Sequence, residues 1–474
     1  MITNKYNKHI NKTRLKESGI SSRYLKVNDT TIIVLFIEQL TDRAALTSSI
    51  IKPLVLNTTK NLTIDKLMHS VIFMDDMITD TDENKLIDYI LKGQSIIIIP
   101  TDEKYLIANT LKVEKRQIQD PSIESTIKGA RDAFTENYDN NISLIRYRLK
   151  DPKLRIDEFE IGKRTLTTVS VIYIKDIAND AIVQSIKDKL SKIDIDGILE
   201  SGYIQKYILN NPHNFFPQTG IVERSDIACA NILDGKVIIL VEGGNLALVL
   251  PKTFIEFIDA SDDHYDNIVI SIFSKCIRIL CIFISLFLTS LYVAVVSFHP
   301  DILPAQYIIS LATSRATVPF NAFLEAFLME LVAEILREAS IRLPKQIGPA
   351  IGIVGTIVIG QASVAAGLIS PLLVIIVSLS LMGSFATADY TITNTMRVIK
   401  FLMIIITSIF GLFGFTMGII LITINICSID SFGVSYVSPL SPFNFTSIKN
   451  LFLSDSTLSN KRPSYLKTKD KTRH

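Results

Sequence analysis

Between Lys345 and Pro371 the chain carries no ionised side chain, and the intervening run QIGPAIGIVGTIVIGQASVAAGLIS is long enough to cross a bilayer, which takes about 20 apolar residues. A charged amphipathic helix, expected over Asn321–Ser340, leads into it. Small residues punctuate the run throughout: Gly348, Gly352, Gly355, Gly360, Ala362, Ser363, Ala365, Ala366 and Gly367. Gly and Ala remove the side chains that hold helices apart, so the composition favours helix assembly over simple anchoring.

The rest of the chain divides around this block. Of 474 residues 48% are hydrophobic, but they are unevenly placed: a polar portion runs to about Lys275 and an apolar portion from Cys276 to Cys427. The expected fold class is an α/β soluble N-terminal region of two mixed α/β subdomains, followed by an all-α multi-span membrane domain. A formal charge of +2, with no basic stripe interleaved with aromatics, gives no support for a nucleic-acid partner. Cys229, Cys276, Cys281 and Cys427 have neither metal nor disulfide spacing. The N-terminal MITNKYNKHINKTRLKESG is basic and lacks an apolar core, unlike a secretory signal, so the soluble region is expected to be cytoplasmic.

Residues 1–28 are expected as a flexible basic leader, 29–130 and 131–270 as the two α/β subdomains, 271–435 as the membrane domain and 436–474 as a basic cytoplasmic tail. Thr31–Ile37, Ser95–Pro100, Lys104–Ala108, Leu166–Ile174, Lys236–Val241 and Leu246–Leu250 are Ile- and Val-rich and predict strands. Ile182, Val183, Ile186, Leu190 and Ile193 recur at helical spacing. Four clear spans are expected: Cys276–Phe298, Gln346–Ile369, Pro371–Ala386 and Ile399–Cys427, the last long enough to require tilt. Ala305–Ala316 and Asn321–Ser340 are helical but charged, so short, re-entrant and interfacial placements stay open. The Lys and Arg residues near the span ends place both termini in the cytoplasm, which requires an even number of crossings. Four crossings leave Arg397 and Lys400 on the wrong side of that bias; a six-crossing alternative uses the two ambiguous helices.

Three groups of residues stand out as candidates. Glu330, Glu334 and Glu338 share a helix face, with Arg337 and Arg342 at pairing distance in sequence. They are either an ordinary solvated face or a carboxylate row along a cation path, since an ionisable group at membrane depth is costly unless it meets water or a partner. Within the Gly-rich span, Gly355, Gly360, Gln361 and Ser363 are a candidate gate or pore; hydrogen bonding between packed helices is the plainer role. Glu223, Arg224 and Asp226 form a compact charged cluster for which a structural or assembly role is favoured, with Asp226 as a helix cap. Gly243–Gly244 fits no nucleotide fingerprint and needs only a hairpin. No nucleophile elbow, metal motif or cofactor fingerprint occurs, so neither an enzyme nor a cofactor is expected.

Several segments, in the same order, resemble one family. These are STIKGARDAFTENYDNNISLIRYR from Ser125, Ser201–Tyr203, FFPQTGIVERSD, DGKVIILVEGG, Arg315–Phe320, REASIRLP, IGIVGTIVIGQASVAAGLISP and SFGVSYVSPLSP. Together they are similar to the A subunit of the Ger-type (GerA family) nutrient germinant receptors of endospore-forming bacteria. The resemblance implies a spore inner-membrane subunit, working with B and C partner subunits and with membrane lipid. It also implies a homo-oligomer that looks like a nutrient-gated path for monovalent cations, and a soluble region used for assembly. A non-conducting scaffold and a secondary transporter are the rivals. The chain departs from the family pattern at Ser225 and Ser435, where Pro is usual, at Gly243–Leu246, where a Gly-Thr-Pro-Phe-like turn is usual, and at Ala365, where an acidic residue is usual.

Overall fold

A computed structural model describes residues 19–28, 30–59, 62–112, 129–211, 214–341, 348–387, 389–453 and 461–473. Two compact units emerge: residues 1–212, 219–251 and 459–474 form the first, and 213–218 with 252–458 form the second.

The first unit holds two five-stranded antiparallel sheets. In the first, β1 (Ser21–Val27), β2 (Thr30–Phe36), β3 (Met77–Asp80), β4 (Ser95–Ile98) and β5 (Tyr105–Ala108) lie in the order β1-β2-β4-β5-β3. Every residue of β4 is buried because both faces are covered. Ile97 joins Val34, Leu54 and Leu67 on one face, while Ile96 and Ile98 join Leu86 and Ile90 of helix α1 (Leu86–Leu91) on the other. Strand β1 occupies residues that composition alone assigns to a flexible leader. Its Leu25 and Val27 point into the core and pair with β2 at Leu25↔Ile32 and Val27↔Thr30, while Arg23, Tyr24 and Lys26 stay outside. An edge strand needs only one apolar face, so its composition looks polar.

The second sheet contains β6 (Leu154–Ile161), β7 (Thr167–Ile174), β8 (Gly220–Val222), β9 (Val237–Val241) and β10 (Ala247–Leu250), in the order β6-β7-β9-β10-β8. Counted from its own first strand, each sheet therefore has the order 1-2-4-5-3. Each also places helices after its second and third strands, so the soluble unit is a tandem repeat of one topology. Helices α2 (Tyr138–Arg148) and α5 (Ser225–Leu233) bury Ile142, Ile145, Ala228 and Ile232 against Ile172, Ile238 and Leu240. Between β7 and β8 lie α3 (Asp180–Leu190), N-capped by the Asn179 side chain, and α4 (Ser201–Ile208). Strands β9 and β10 form the expected hairpin, with Gly243 at φ +80° in its turn.

In the second unit, α6 (Ile268–Phe298), α7 (Ala305–Arg315), α8 (Ala322–Ile341), α9 (Gly348–Ala365), α10 (Pro371–Phe385), α11 (Tyr390–Ser428) and α12 (Phe445–Leu453) follow in order. Helices α6 and α11 are by length and composition apolar enough to span a membrane, each holding an 18-residue stretch of mean hydropathy 2.6 and 2.3, respectively. Helices α9 and α10 match two of the four segments expected as spans, and α10 is a shorter apolar helix.

The single tilted span expected over Ile399–Cys427 is instead a helical hairpin. Helix α11 breaks at Gly411, whose φ of 61° and ψ of −139° belong to a region that side-chain-bearing residues avoid. A Cβ at Gly418 would strike Met403, whereas residues fifteen apart on a straight helix lie about 22 Å apart. Gly411, Gly414 and Gly418 give the returning arm its room, meeting Phe298, the Ile406 carbonyl and Met403 where a Cβ would stand.

Contacts fix the helix directions. Ser370 meets Tyr292, Ser380 bonds the Ser285 carbonyl, and Gly383 abuts the Cys281 carbonyl, so α10 runs against α6. Glu325 meets Ser370 and Arg337 meets Ser384, so α8 runs with α10. Gly360 packs against Met329 and Val374, and Gly355 against Leu336, so α9 runs against both. Helices α6, α8, α9, α10 and the two arms of α11 thus alternate in direction.

Phe216, Phe254, Phe257 and Tyr436 form an aromatic cluster, with ring centroids 6.1–6.4 Å apart, beside Ile392 and Ile429 at the open end of the hairpin. Tyr436 is fully buried and its hydroxyl has no hydrogen-bond partner among the described residues. Tyr436→Phe is therefore expected to leave thermal stability unchanged or slightly raised, while Tyr436→Ala loses about 3–5 kcal/mol by opening a cavity. A differential scan of both variants in detergent checks this.

Candidate functional site

The carboxylates of α8 are the focus of the helical unit. Glu330 is fully buried, with its Oε2 2.6 Å from the Lys400 Nζ of α11 and its Oε1 accepting a 2.7 Å hydrogen bond from Thr289 of α6. Lys400 is 2% exposed and lies midway along the first arm of α11. One turn on, Glu334 accepts from Arg397 Nε at 2.7 Å and Nη2 at 2.5 Å, and Arg337 lies 3.9 Å away. Arg337 donates to Ser384 of α10, and its guanidinium sits 5.0 Å from the Phe385 ring centroid. Toward the other end of α8, the buried Glu325 accepts the backbone N–H of Ser370 before α10 and faces Arg315 of α7 at 3.5 Å.

These pairs follow from antiparallel packing. Glu330 and Glu334 are four apart on α8; Lys400 and Arg397 are three apart on α11 in the reverse order, so each carboxylate meets a cation. The expected solvated face does not describe Glu330, which is out of solvent altogether. Glu338 is exposed, and Arg342 lies outside the described residues. Arg397 and Lys400, which the charge bias leaves on the wrong side of a four-span arrangement, are the counter-ions of this buried row. Thr289, Glu325 and Arg315 carried no sequence signal as members of it.

Of the candidate gate residues, Gly355 and Gly360 face neighbouring helices. A Cβ would lie 3.1 Å from Leu336 at Gly355 and 3.0 Å from Val374 at Gly360. Gln361 is exposed and Ser363 half-buried, so α9 turns Gly355 and Gly360 toward the rest of the chain and its amide outward.

Glu223, Arg224 and Asp226 lie in the soluble unit. Arg224 is fully buried and grips Asp226 through Nε at 3.0 Å and Nη2 at 2.5 Å. Asp226 was expected to cap the helix, but the N-cap of α5 is Arg224 and Asp226 sits in the first turn as its ion partner. Ser225 is the first residue of α5, a position where Pro is favoured in helices generally. In this chain its hydroxyl donates to Asp132 and accepts from Arg148 Nε at 2.8 Å, while Arg148 Nη2 meets both Asp132 oxygens at 2.6 and 2.7 Å. Burial pushes the Asp132 carboxyl up, but Arg148 and Ser225 outweigh it and hold the group below the usual carboxylate range. A depressed folded-state value stabilises the fold above the unfolded value and is lost as pH falls through the folded one. Asp132→Asn should therefore lower Tm at neutral pH, with the gap to wild type closing as pH drops below about 4. Thermal melts across that range test the sign.

Among the described residues, no group of three or more His, Cys, Asp or Glu is placed to hold a metal ion.

Comparison with known proteins places these features in context. The pattern for the family described as "Bacillus/Clostridium GerA spore germination protein" matches residues 7–465. Spore germination protein KA of Bacillus subtilis (strain 168) is 36% identical, covering 98% of this chain and 87% of its own. Spore germination protein GerLA of Bacillus cereus is 35% identical, covering 93% and 90%. Spore germination protein A1 of Bacillus subtilis is 33% identical, covering 92% and 90%. Among solved structures, the N-terminal domain of the A subunit of the Bacillus megaterium spore germinant receptor GerK3 is 25% identical. It covers 52% of this chain and 93% of its own, with a TM-score of 0.38.

Proposed function

Because this chain belongs to the GerA family of Bacillus/Clostridium spore germination proteins, we propose that it is the A-type membrane subunit of a nutrient germinant receptor in the spore inner membrane. In this reading its soluble repeats face the cytoplasm and it works with B and C partner subunits. Several copies assemble through the outward face of α9, where Gln361 and Ser363 lie, and nutrient binding on a partner opens a path for monovalent cations. Gly355 and Gly360 are the packing points about which α9 would shift between closed and open states.

The observation that carries the reading is the buried carboxylate row on α8. An uncompensated charge at membrane depth is costly, and each described carboxylate of the row at Glu325, Glu330 and Glu334 is met by a cation of the same chain. Such a row is stable while closed and offers negative sites to permeating cations when the helices part. Glu338, exposed at the end of α8, would be the entrance. The shift needs a ligand with different affinity for the two packings. For Glu223, Arg224 and Asp226 we assign a structural role in the soluble unit.

The same ion pairs also favour a second reading, a non-conducting scaffold, because a carboxylate already neutralised by lysine needs no other cation. Replacing Gly360 with Leu separates the two. If the subunit conducts, nutrient-dependent cation release is lost while the complex still assembles; a scaffold that assembles normally leaves release unchanged.

A further inference from the structure

We propose that the C-terminal segment 461–473 is the closing segment of the second α/β repeat, supplied from beyond the membrane helices as a detachable strap. The first repeat shows what the segment replaces. After β2 the chain turns with Leu40 N–H bonding the Ile37 carbonyl, and the Leu40 carbonyl then accepts the Lys112 N–H at 2.9 Å from the segment that follows β5. After β7 the same turn recurs, with Ile177 N–H bonding the Ile174 carbonyl, but its carbonyl accepts the Lys469 N–H at 3.0 Å.

Other features match in register. Asp42 and Asn179 each cap the helix that follows, and each also bonds the closing segment: Asp42 N–H to the Thr110 carbonyl at 2.8 Å, and Asn179 Nδ2 to the Leu466 carbonyl at 3.3 Å. Each repeat ends its last helix on a left-handed glycine, Gly93 at φ +82° and Gly235 at φ +95°. A Cβ at Gly93 would strike Leu111, and one at Gly235 would strike Thr468. The membrane helices are thus an insertion into the second repeat, between β10 and the segment that closes it.

The two closures differ in how firmly they hold. In the first repeat the segment leaves β5 directly and cannot depart without unravelling that strand. In the second, residues 251–460 intervene, so docking is the closure of a long loop. Its apolar anchor is small: Leu466 is fully buried and Thr468 is 5% exposed. The remaining grip is largely charged, with Lys469 at 2.7 Å from Asp180, Arg462 donating to the Leu233 carbonyl at 2.8 Å, and Arg473 on Asp234. The Lys469–Asp180 pair is exposed, and pairs of that kind are weak and screened by salt. The strap can let go while the rest of the repeat stays folded.

Hydrogen exchange on the full chain in detergent tests this without reference to ion flux. The Lys469 amide is expected to exchange about 10 to 1,000 times faster than the Lys112 amide, and to speed up at high salt while Lys112 does not. Leu466→Asp should bring Lys469 to the unprotected rate and leave Lys112 untouched, while Leu466→Met keeps wild-type protection. A Lys469 amide as slow as Lys112 would show a permanent element, and one unprotected in the wild-type chain would show no docking; either result overturns the proposal.

Discussion

Lys400→Met is expected to destabilise the helical unit by about 3–5 kcal/mol, because it leaves the Glu330 carboxylate buried with Thr289 as its one remaining described donor. The cost is that of an uncompensated charge more than of a lost attraction. Removing both charges should therefore recover most of the stability: Glu330→Leu with Lys400→Met is expected to melt close to the wild type, since a packed apolar pair replaces a buried ion pair with little loss. Exchanging the charges, Glu330→Lys with Lys400→Glu, should be far less damaging than either change alone. Melting temperatures of the detergent-solubilised set decide the matter. Equal loss in the single and double variants would mean that the two side chains are not partners.

The helical hairpin of α11 supports the second large effect. Gly411→Ala places a Cβ in a backbone region costing about 1–3 kcal/mol and pushes it against Phe298, with ring carbons at 2.9–3.2 Å. Gly418→Leu has no room beside Met403 and should force the arms apart. Geometry gives a direct check. In a chain whose four native cysteines are replaced, M403C with G418C is expected to cross-link with a short thiol reagent, because the shorter side chain at 403 makes space for the one at 418. On a straight helix these positions lie about 22 Å apart and would not cross-link.

How much of this was legible depended on whether the physics was local. Strands β2, β4, β7, β9 and β10 stand out because their Ile and Val runs are buried on both faces. Strands β1 and β6 do not: SSRYLKV buries only Leu25 and Val27, on one face, and LRIDEFEI buries only its end residues Leu154 and Ile161. The tandem repeat lies in the strand order and the turns, and its sequence trace, TTIIVLFIEQLTD against TTVSVIYIKDIAN and ILKGQSIIII against ILDGKVIILV, stands out only once the strands are aligned. The hairpin was missed because FGLFGFTMG reads as apolar throughout, and hydropathy is blind to a reversal at one glycine.

For the site, the four-residue spacing of Glu330 and Glu334 marked a common face, since that is a property of one helix. Their partners Lys400 and Arg397 were visible only as charges that offended the orientation rule. Pairing them requires knowing that α8 and α11 run antiparallel, which no local spacing encodes. Gly355 and Gly360 were recognised as close-packing residues from their size alone, and they pack against α8 and α10.

The central claim is that the assembled subunit provides a nutrient-gated cation path. The most direct measurement is release of a trapped monovalent cation from liposomes containing this chain together with the proposed B and C partner subunits. Release on nutrient addition, absent without nutrient and lost in the Gly360→Leu complex, is the predicted result. A fully assembled wild-type complex that binds nutrient yet releases no cation would contradict it.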